Sequence, residues 1–337
     1  MTRSSSITDR LHTWDGIKNR FNWSGILLGN GSSRALWEPF DYDSLFQKAA
    51  SAENRHPLTA TDKALFQKLG KTTNFESVLS GLLTAIIVNK ALGIPHLEIR
   101  RRYQSIRQAL VKAVHSIHLP WDGLSTNIKT SVRKELCRYR FVFTTNYDLL
   151  MYWCIMAGDG KRLFKDYFWK NNLFDASNVK VLNSPTMILY LHGALHLYRT
   201  LEGRTSKEVG DVSGGLLDRF AVDRNRTPLF ISEGTVSLKM QAIARSDYLA
   251  FGLQTLSEFD DPLVVFGQSL RRDKHIVEAI SKPHNFKLAY SIYPGKPSEI
   301  IREKSRIHGL FPKASICFFD SRTHPLGSSS LKIPFTS

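Results

Sequence analysis

Short continuous apolar runs alternate with longer segments of helical period along most of the chain. Residues 24–29 (SGILLG) read as a buried strand closed by glycine. The turn Asn30-Gly31-Ser32-Ser33 follows, with good helix-capping chemistry, and the spacing predicts a helix over 34–50. From 60 to about 140 the pattern is nearly all helical. One segment opens at Asn74-Phe75-Glu76-Ser77 and runs to 92, with Pro95 beyond it, and a second spans 96–117 before Pro120.

The period then changes. Residues 139–144 (YRFVFT) predict a strand, and Asn146-Tyr147-Asp148 a helix start running to 156. A strand over 187–191 (MILYL) is closed by His192-Gly193. Residues 201–227, rich in Gly, Ser and Arg, predict a long mobile loop, and the tail from 321 is loop-like. Between them the pattern predicts strands at 229–232, 263–266, 287–292 and 315–319, and helices at 237–259, 274–280 and 298–304. Apolar strands alternating with helices imply an α/β fold, a Rossmann-like parallel sheet covered on both faces. The expected organisation is one domain over 1–337. Its core takes about 20–58 and 139–320, a helical insertion about 60–138, the loop 201–227 and the tail 321–337. No internal repeat is visible.

Composition narrows the class. The 337 residues are 42% hydrophobic and 23% charged, as in an ordinary soluble globular protein. The first twenty residues lack the apolar core of a signal peptide, and the longest apolar stretch, 81–88, is too short to span a membrane. Three scattered cysteines (Cys137, Cys154, Cys317) with no CxxC argue against a disulfide framework and fit a reducing, cytoplasmic setting. Against 30 Asp+Glu stand 46 Lys+Arg, a formal charge of +16 that points to an anionic partner without naming it. The segment 96–117 carries part of this excess, on a solvated helix face or on a nucleic-acid contact.

Candidate chemistry gathers at strand ends, where open α/β sheets bind ligands. Gly29-Asn30-Gly31-Ser32 is either a phosphate-approaching turn at a helix start or a plain turn. Thr144-Thr145-Asn146-Tyr147-Asp148 offers hydroxyls, an amide and a carboxylate. Asn146 suits an amide ligand and Asp148 a ribose hydroxyl, while either also suits a helix cap. His192 is placed to act as a general base near neutral pH. With His196 four residues on, it invites a metal reading, but the glutamate of HExxH is missing and Gly193 weakens a helix there, so no metal is expected. Gly267-Gln268-Ser269 repeats the strand-then-Gly-x-Ser logic, with Asp273 as a cap four residues past Ser269.

In this order the four motifs resemble those of the Sir2 (sirtuin) superfamily: a Gly-Ala-Gly-x-Ser loop, a Thr-Gln-Asn-x-Asp segment, a His-Gly and a late Gly-x-Ser. The matching stretches here are Gly29-Asn30-Gly31-Ser32-Ser33, Thr144-Thr145-Asn146-Tyr147-Asp148, His192-Gly193 and Gly267-Gln268-Ser269. The sequence is most similar to bacterial Sir2-like proteins of the DUF4917 type, through Asn74-Phe75-Glu76 and Gly267-Gln268-Ser269-Leu270. Related Sir2-like domains act in anti-phage defence by hydrolysing NAD. Asn30 stands where that family has alanine and Thr145 where it has glutamine. The four-cysteine zinc module of deacylase sirtuins is missing, since 155–316 contains no cysteine.

The resemblance therefore implies a Sir2-type fold without a zinc module and an NAD+ glycohydrolase releasing nicotinamide and ADP-ribose. Asn146, His192 and Asp148 are the implied catalytic residues. Gly29, Asn30, Gly31, Ser32, Thr144, Thr145, Gly267 and Ser269 are the implied NAD-binding residues. Expected partners are NAD as substrate, a homo-oligomer or a partner defence protein, and a phage-derived or nucleic-acid trigger, with no membrane. The alternatives are a sirtuin-type deacylase or ADP-ribosyltransferase, and a non-catalytic nucleotide- or nucleic-acid-binding protein.

Overall fold

The computed structural model describes residues 7–40, 45–168, 171–178, 186–200, 202–209, 216, 227–231, 236–282 and 286–334. Ten strands are described: β1 (Gly25–Leu28), β2 (Phe141–Thr144), β3 (Phe164–Lys165), β4 (Thr186–Tyr190), β5 (Gly193–Arg199), β6 (Thr205–Lys207), β7 (Thr227–Phe230), β8 (Leu263–Phe266), β9 (Lys287–Ile292) and β10 (Ser315–Asp320). Seven form one central sheet in the order β10-β9-β8-β1-β2-β4-β3, with every pairing parallel. The strands β1, β4 and β8 are buried along their whole length, as a sheet covered on both faces requires. The α/β, Rossmann-like architecture read from the periodicity is therefore present.

Two features of this sheet position the site. Later strands add to one side of β1 through β2 and β4, and to the other through β8, β9 and β10, so the strand succession reverses at β1. Register then aligns the carboxyl ends: Leu28 lies opposite both Thr144 and Phe266, and Thr144 opposite Tyr190. The four motifs that follow these strands start side by side.

The second sheet, β6-β5-β7, is antiparallel. It corrects the sequence reading of this region. Residues 193–199, to which the sequence reading gave no element, form β5, and part of the expected mobile loop 201–227 is the strand β6, while Thr227 opens β7. Residues 201, 210–215 and 217–226 of that loop lie outside the described residues. Gly193 makes the change of sheet possible. It sits at φ +72°, and a Cβ there would lie 2.1 Å from the Leu229 carbonyl oxygen.

Helix boundaries also sharpen. The expected helix 34–50 is a helix Asn30–Leu36, a 3-10 turn Glu38–Phe40 and a helix Leu45–Ala50, with 41–44 outside the described residues. Pro39 interrupts it, because proline cannot donate the next helical hydrogen bond. The expected helix 237–259 is two helices, Val236–Ala244 and Asp247–Ser257, broken where Ser246 caps the second by accepting from Leu249 N at 3.2 Å. The helical stretch after 60 consists of Ala60–Lys68, Phe75–Ala91, Leu97–Ile117 and Thr126–Leu136. The first opens with a Thr59/Asp62 capping box. Trp37 ties the stretch to the core by donating to the Ile117 carbonyl at 3.0 Å.

The tail from Ser321 is not a free loop. It forms three 3-10 turns that bury His324, Leu326 and Leu331, and Ile333 N donates to the Leu36 carbonyl at 2.9 Å. Among the described residues no helix is long and apolar enough to cross a membrane.

Candidate active site at the strand ends

The turn after β1 packs directly on the turn after β8. Gly31 N donates to the Gly267 carbonyl at 2.8 Å, and Gly29 N to the Phe266 carbonyl at 3.0 Å. A Cβ on Gly29 would fall 2.5 Å from Gln268 Cα, and one on Gly31 would fall 2.7 Å from Gly267 Cα. These glycines are required first by contact between two backbones. Ser32 N and Oγ both donate to the Gly29 carbonyl, at 2.9 and 2.8 Å, so the Gly31 and Ser32 amides are already engaged. Asn30 is exposed, with Nδ2 donating to the Phe40 carbonyl at 3.3 Å.

Asn146 holds this turn to β2. Its Nδ2 lies 3.0 Å from the Gly29 carbonyl, 3.0 Å from Ser32 Oγ and 2.9 Å from Ser33 Oγ. The Gly29 carbonyl can only accept, which fixes the amide orientation and leaves Asn146 Oδ1 with no partner among the described residues. Its backbone is held as Asn146 N donates to Thr144 Oγ1 at 3.0 Å. Ser33 Oγ in turn donates to Asp148 Oδ2 at 2.6 Å, and Leu150 N donates to Asp148 Oδ1 at 2.9 Å. Both Asp148 oxygens are thus used within the protein, at the start of the helix Leu150–Met156. Burial raises the Asp148 pKa, against the opposing hydrogen bonds from Ser33 and Leu150.

His192 occupies the junction between the two sheets. Ile231 N donates to its carbonyl at 2.7 Å, and its ring is buried. Its Nε2 lies 2.9 Å from Nε2 of His275 and 3.8 Å from Asp273 Oδ1. Asp273 is itself gripped at both oxygens, with Lys239 Nζ 2.6 Å from Oδ1 and Gln268 Nε2 3.2 Å from Oδ2. Gln268 Nε2 also donates to Thr145 Oγ1 at 2.9 Å, which links this cluster to the end of β2. Burial drives the His192 pKa down to about 3 and that of His275 to about 4, so both rings are neutral. Burial disfavours a charged Asp273, but the Lys239 ammonium at 2.6 Å opposes it, and the carboxyl stays below its ordinary value.

The ligand atoms of His192, Asp273 and His275 lie within 4.8 Å of one another, close enough to share a metal ion. The Lys239 ammonium already supplies a positive charge to Asp273, and the two imidazoles meet at hydrogen-bond distance. The same three groups also contact one another directly, and His275 Nδ1 has no partner among the described residues. His196, the other member of the sequence-level metal pair, lies on β5 and stacks on Tyr152 with ring centroids 4.3 Å apart, as part of the core.

The structure thus brings Gly29, Gly31, Ser32, Thr144, Thr145, Asn146, Asp148 and Gly267 into one hydrogen-bonded seam, with His192 joined to it through Asp273 and Gln268. Ser269 lies exposed at its rim, where Arg271 N donates to its Oγ at 3.4 Å. Sequence reasoning assigned no chemistry to Ser33, Lys239, Gln268 or His275, and read Asp273 only as a cap. The available signal was the run Gly267-Gln268-Ser269-Leu270-Arg271-Arg272-Asp273-Lys274-His275, which carries two ionisable side chains into the helix Lys274–Ser281 from a strand end. A family model described as a domain of unknown function, DUF4917, matches residues 26–326. No curated protein matches the chain.

Proposed function

The chain belongs to the DUF4917 family, and we propose that its crevice is a Sir2-type NAD+ hydrolase site, cleaving the nicotinamide–ribose bond in anti-phage defence. The observation that carries this reading is the alignment of the β1, β2, β4 and β8 ends at the point where the strand succession reverses. It puts a buried neutral histidine and a fixed asparagine amide at one edge.

In this reading His192 is the general base. A water oxygen bonds to the anomeric carbon as the C1′–N bond breaks, the bond's electron pair leaves with nicotinamide, and the water proton goes to His192. NAD+ and water thus give nicotinamide, ADP-ribose and one proton. Asn146, with Oδ1 open, orients the carboxamide or the water, while its Nδ2 holds the Gly29 turn. Asp148 acts through Ser33 on that same amide. The rim residues Asn30 and Ser269 take the dinucleotide, which lies over the glycine turns, whose own amides stay bonded within the protein. Assembly with further copies, a partner protein or a phage-derived trigger supplies the control that a NAD-depleting enzyme needs.

Incubation of the purified chain with NAD+, alone and in extracts of phage-infected cells, tests the reading by chromatography of the products. Nicotinamide and ADP-ribose are expected in equal amounts. His192→Ala is expected to lower the rate by about 10²-fold or more with the melting temperature kept. NAD+ left intact both by the protein and by infected cells carrying it would sink the proposal.

A further inference from the structure

We propose that His275 is a positioning residue for this site: it accepts the Nε2 proton of His192, fixing the tautomer that leaves His192 Nδ1 bare for the reacting proton. The inference rests on the NAD-hydrolysis reading for the step it serves, but the proton arrangement stands on geometry alone. Two imidazole nitrogens 2.9 Å apart are held by one shared proton, one ring donating and the other accepting. Asp273 Oδ1, 3.8 Å from His192 Nε2, favours that proton on His192. The carboxylate cannot turn away, because Lys239 holds one oxygen and Gln268 the other. With Nε2 committed, His192 Nδ1 is the remaining nitrogen, and it has no partner among the described residues.

The step balances within the pair. When His192 Nδ1 takes a proton from water, the Nε2 proton crosses to His275 Nε2. His192 ends neutral as the other tautomer and His275 ends as the imidazolium, with Asp273 as its counter-charge. His275 Nδ1 is buried without a partner among the described residues, so the proton has no onward path through that nitrogen and returns to solvent by way of His192. The charged groups facing the two rings are Asp273, Lys239 and Glu278. A lone histidine at the position of His192 would have no device to choose its tautomer.

The test is long-range ¹H–¹⁵N spectroscopy of the full chain labelled with ¹⁵N-histidine, with His192 identified from the signals lost in His192→Asn. At pH 7 the expected pattern is Nε2–H on His192 and Nδ1–H on His275. His275→Phe is expected to abolish the fixed tautomer of His192. His275→Gln, whose side-chain carbonyl can still accept, is expected to restore it and guards against a folding defect in the phenylalanine variant. In NAD turnover His275→Phe is expected to lower kcat by about 10- to 100-fold, as for groups that orient a catalytic histidine. KM should change less than about threefold, and His275→Gln should recover most of the loss.

An Nδ1–H tautomer on His192, or a His192 spectrum unmoved by His275→Phe, overturns the proposal. So does stoichiometric Zn²⁺ binding by the wild type that His275→Gln removes, which would make the cluster a ligand set. If NAD+ is never cleaved, the functional reading fails while the spectra still decide the proton arrangement.

Discussion

A methyl group added at Gly267 would lie 2.5 Å from Ser32 N and 2.7 Å from the Gly31 carbonyl carbon, at a φ of +68°. Neither neighbour is a flexible side-chain end, so the two turns must separate. Gly267→Ala is expected to destabilise the protein by about 2–3 kcal/mol and to pull apart the seam that holds Asn146. Gly252 is the contrast. It is helical, and its nearest neighbour to an added Cβ is Leu191 Cδ2 at 3.5 Å. Gly252→Ala should therefore leave stability unchanged or raise it by about 0.5–1 kcal/mol. Thermal melts of both variants check the pair, and an equal loss in each would refute the close-approach account. The glycines were legible in the sequence, but their first reason was not. A Gly-x-Gly after a strand advertises bare backbone, and only the neighbouring strand end shows whether ligand or protein fills the space. Asp148 has the cap-like role that the sequence offered, accepting from Leu150 N at the helix start, whereas Asn146 ties β2 to the Gly29 turn, a partner its own sequence neighbourhood does not reveal.

The helix Leu97–Ile117 buries Tyr103, Ile106, Leu110 and Val114 on one side and carries an excess of cations. Between it and the helix Leu45–Ala50 lies a cleft of about 460 Å³ lined by Lys48, Arg55, Lys112 and His115, with Glu53 as its acid. Cations converging on a concavity raise the local potential more than the same charges dispersed. Changing Lys48, Arg55 and Lys112 to glutamine takes the formal charge from +16 to +13. This triple variant is expected to leave heparin at lower salt than a triple Gln variant of Lys282, Lys296 and Lys313, which has the same net charge. Coincident elution would mean that only total charge matters. At this scale the sequence read the strands at 263–266 and 287–292 to the residue, because an apolar run bounded by polar turns has few other solutions. It missed β5 and β6, whose pairing partners lie elsewhere in the chain, and the polar Thr205-Ser206-Lys207 of β6 imitates a loop.

Across the whole molecule, His118, His192, His196, His275 and His324 are buried and held below the ordinary histidine pKa of 6.5, chiefly by burial. The unfolded chain takes up protons near 6.5 that the folded rings refuse until about pH 4 or below. The histidine contribution is thus fully present at neutrality and falls as the pH drops from 6.5 toward 4, by up to about 1.4 kcal/mol per pH unit for each histidine. Asp148 and Glu135, shifted upward, act in the opposite sense but are outnumbered. Melting temperatures should be nearly level between pH 7 and 8 and decline steeply below 6.5, and a flat profile down to pH 5 would contradict this. The parallel sheet was readable from strand–helix alternation, whereas strand order was not, because it depends on which faces meet after distant segments return. One such return has a consequence in time. The earliest described strand in the chain, β1, is the middle of the sheet, and Gly25 must wait for Leu263 before its second edge is covered. A chain still on the ribosome therefore holds an open-edged sheet and half a crevice, and the histidine pair cannot exist until residue 275 emerges. On the proposed reading, competence for hydrolysis would arrive only after the segment carrying residue 275 has joined the sheet.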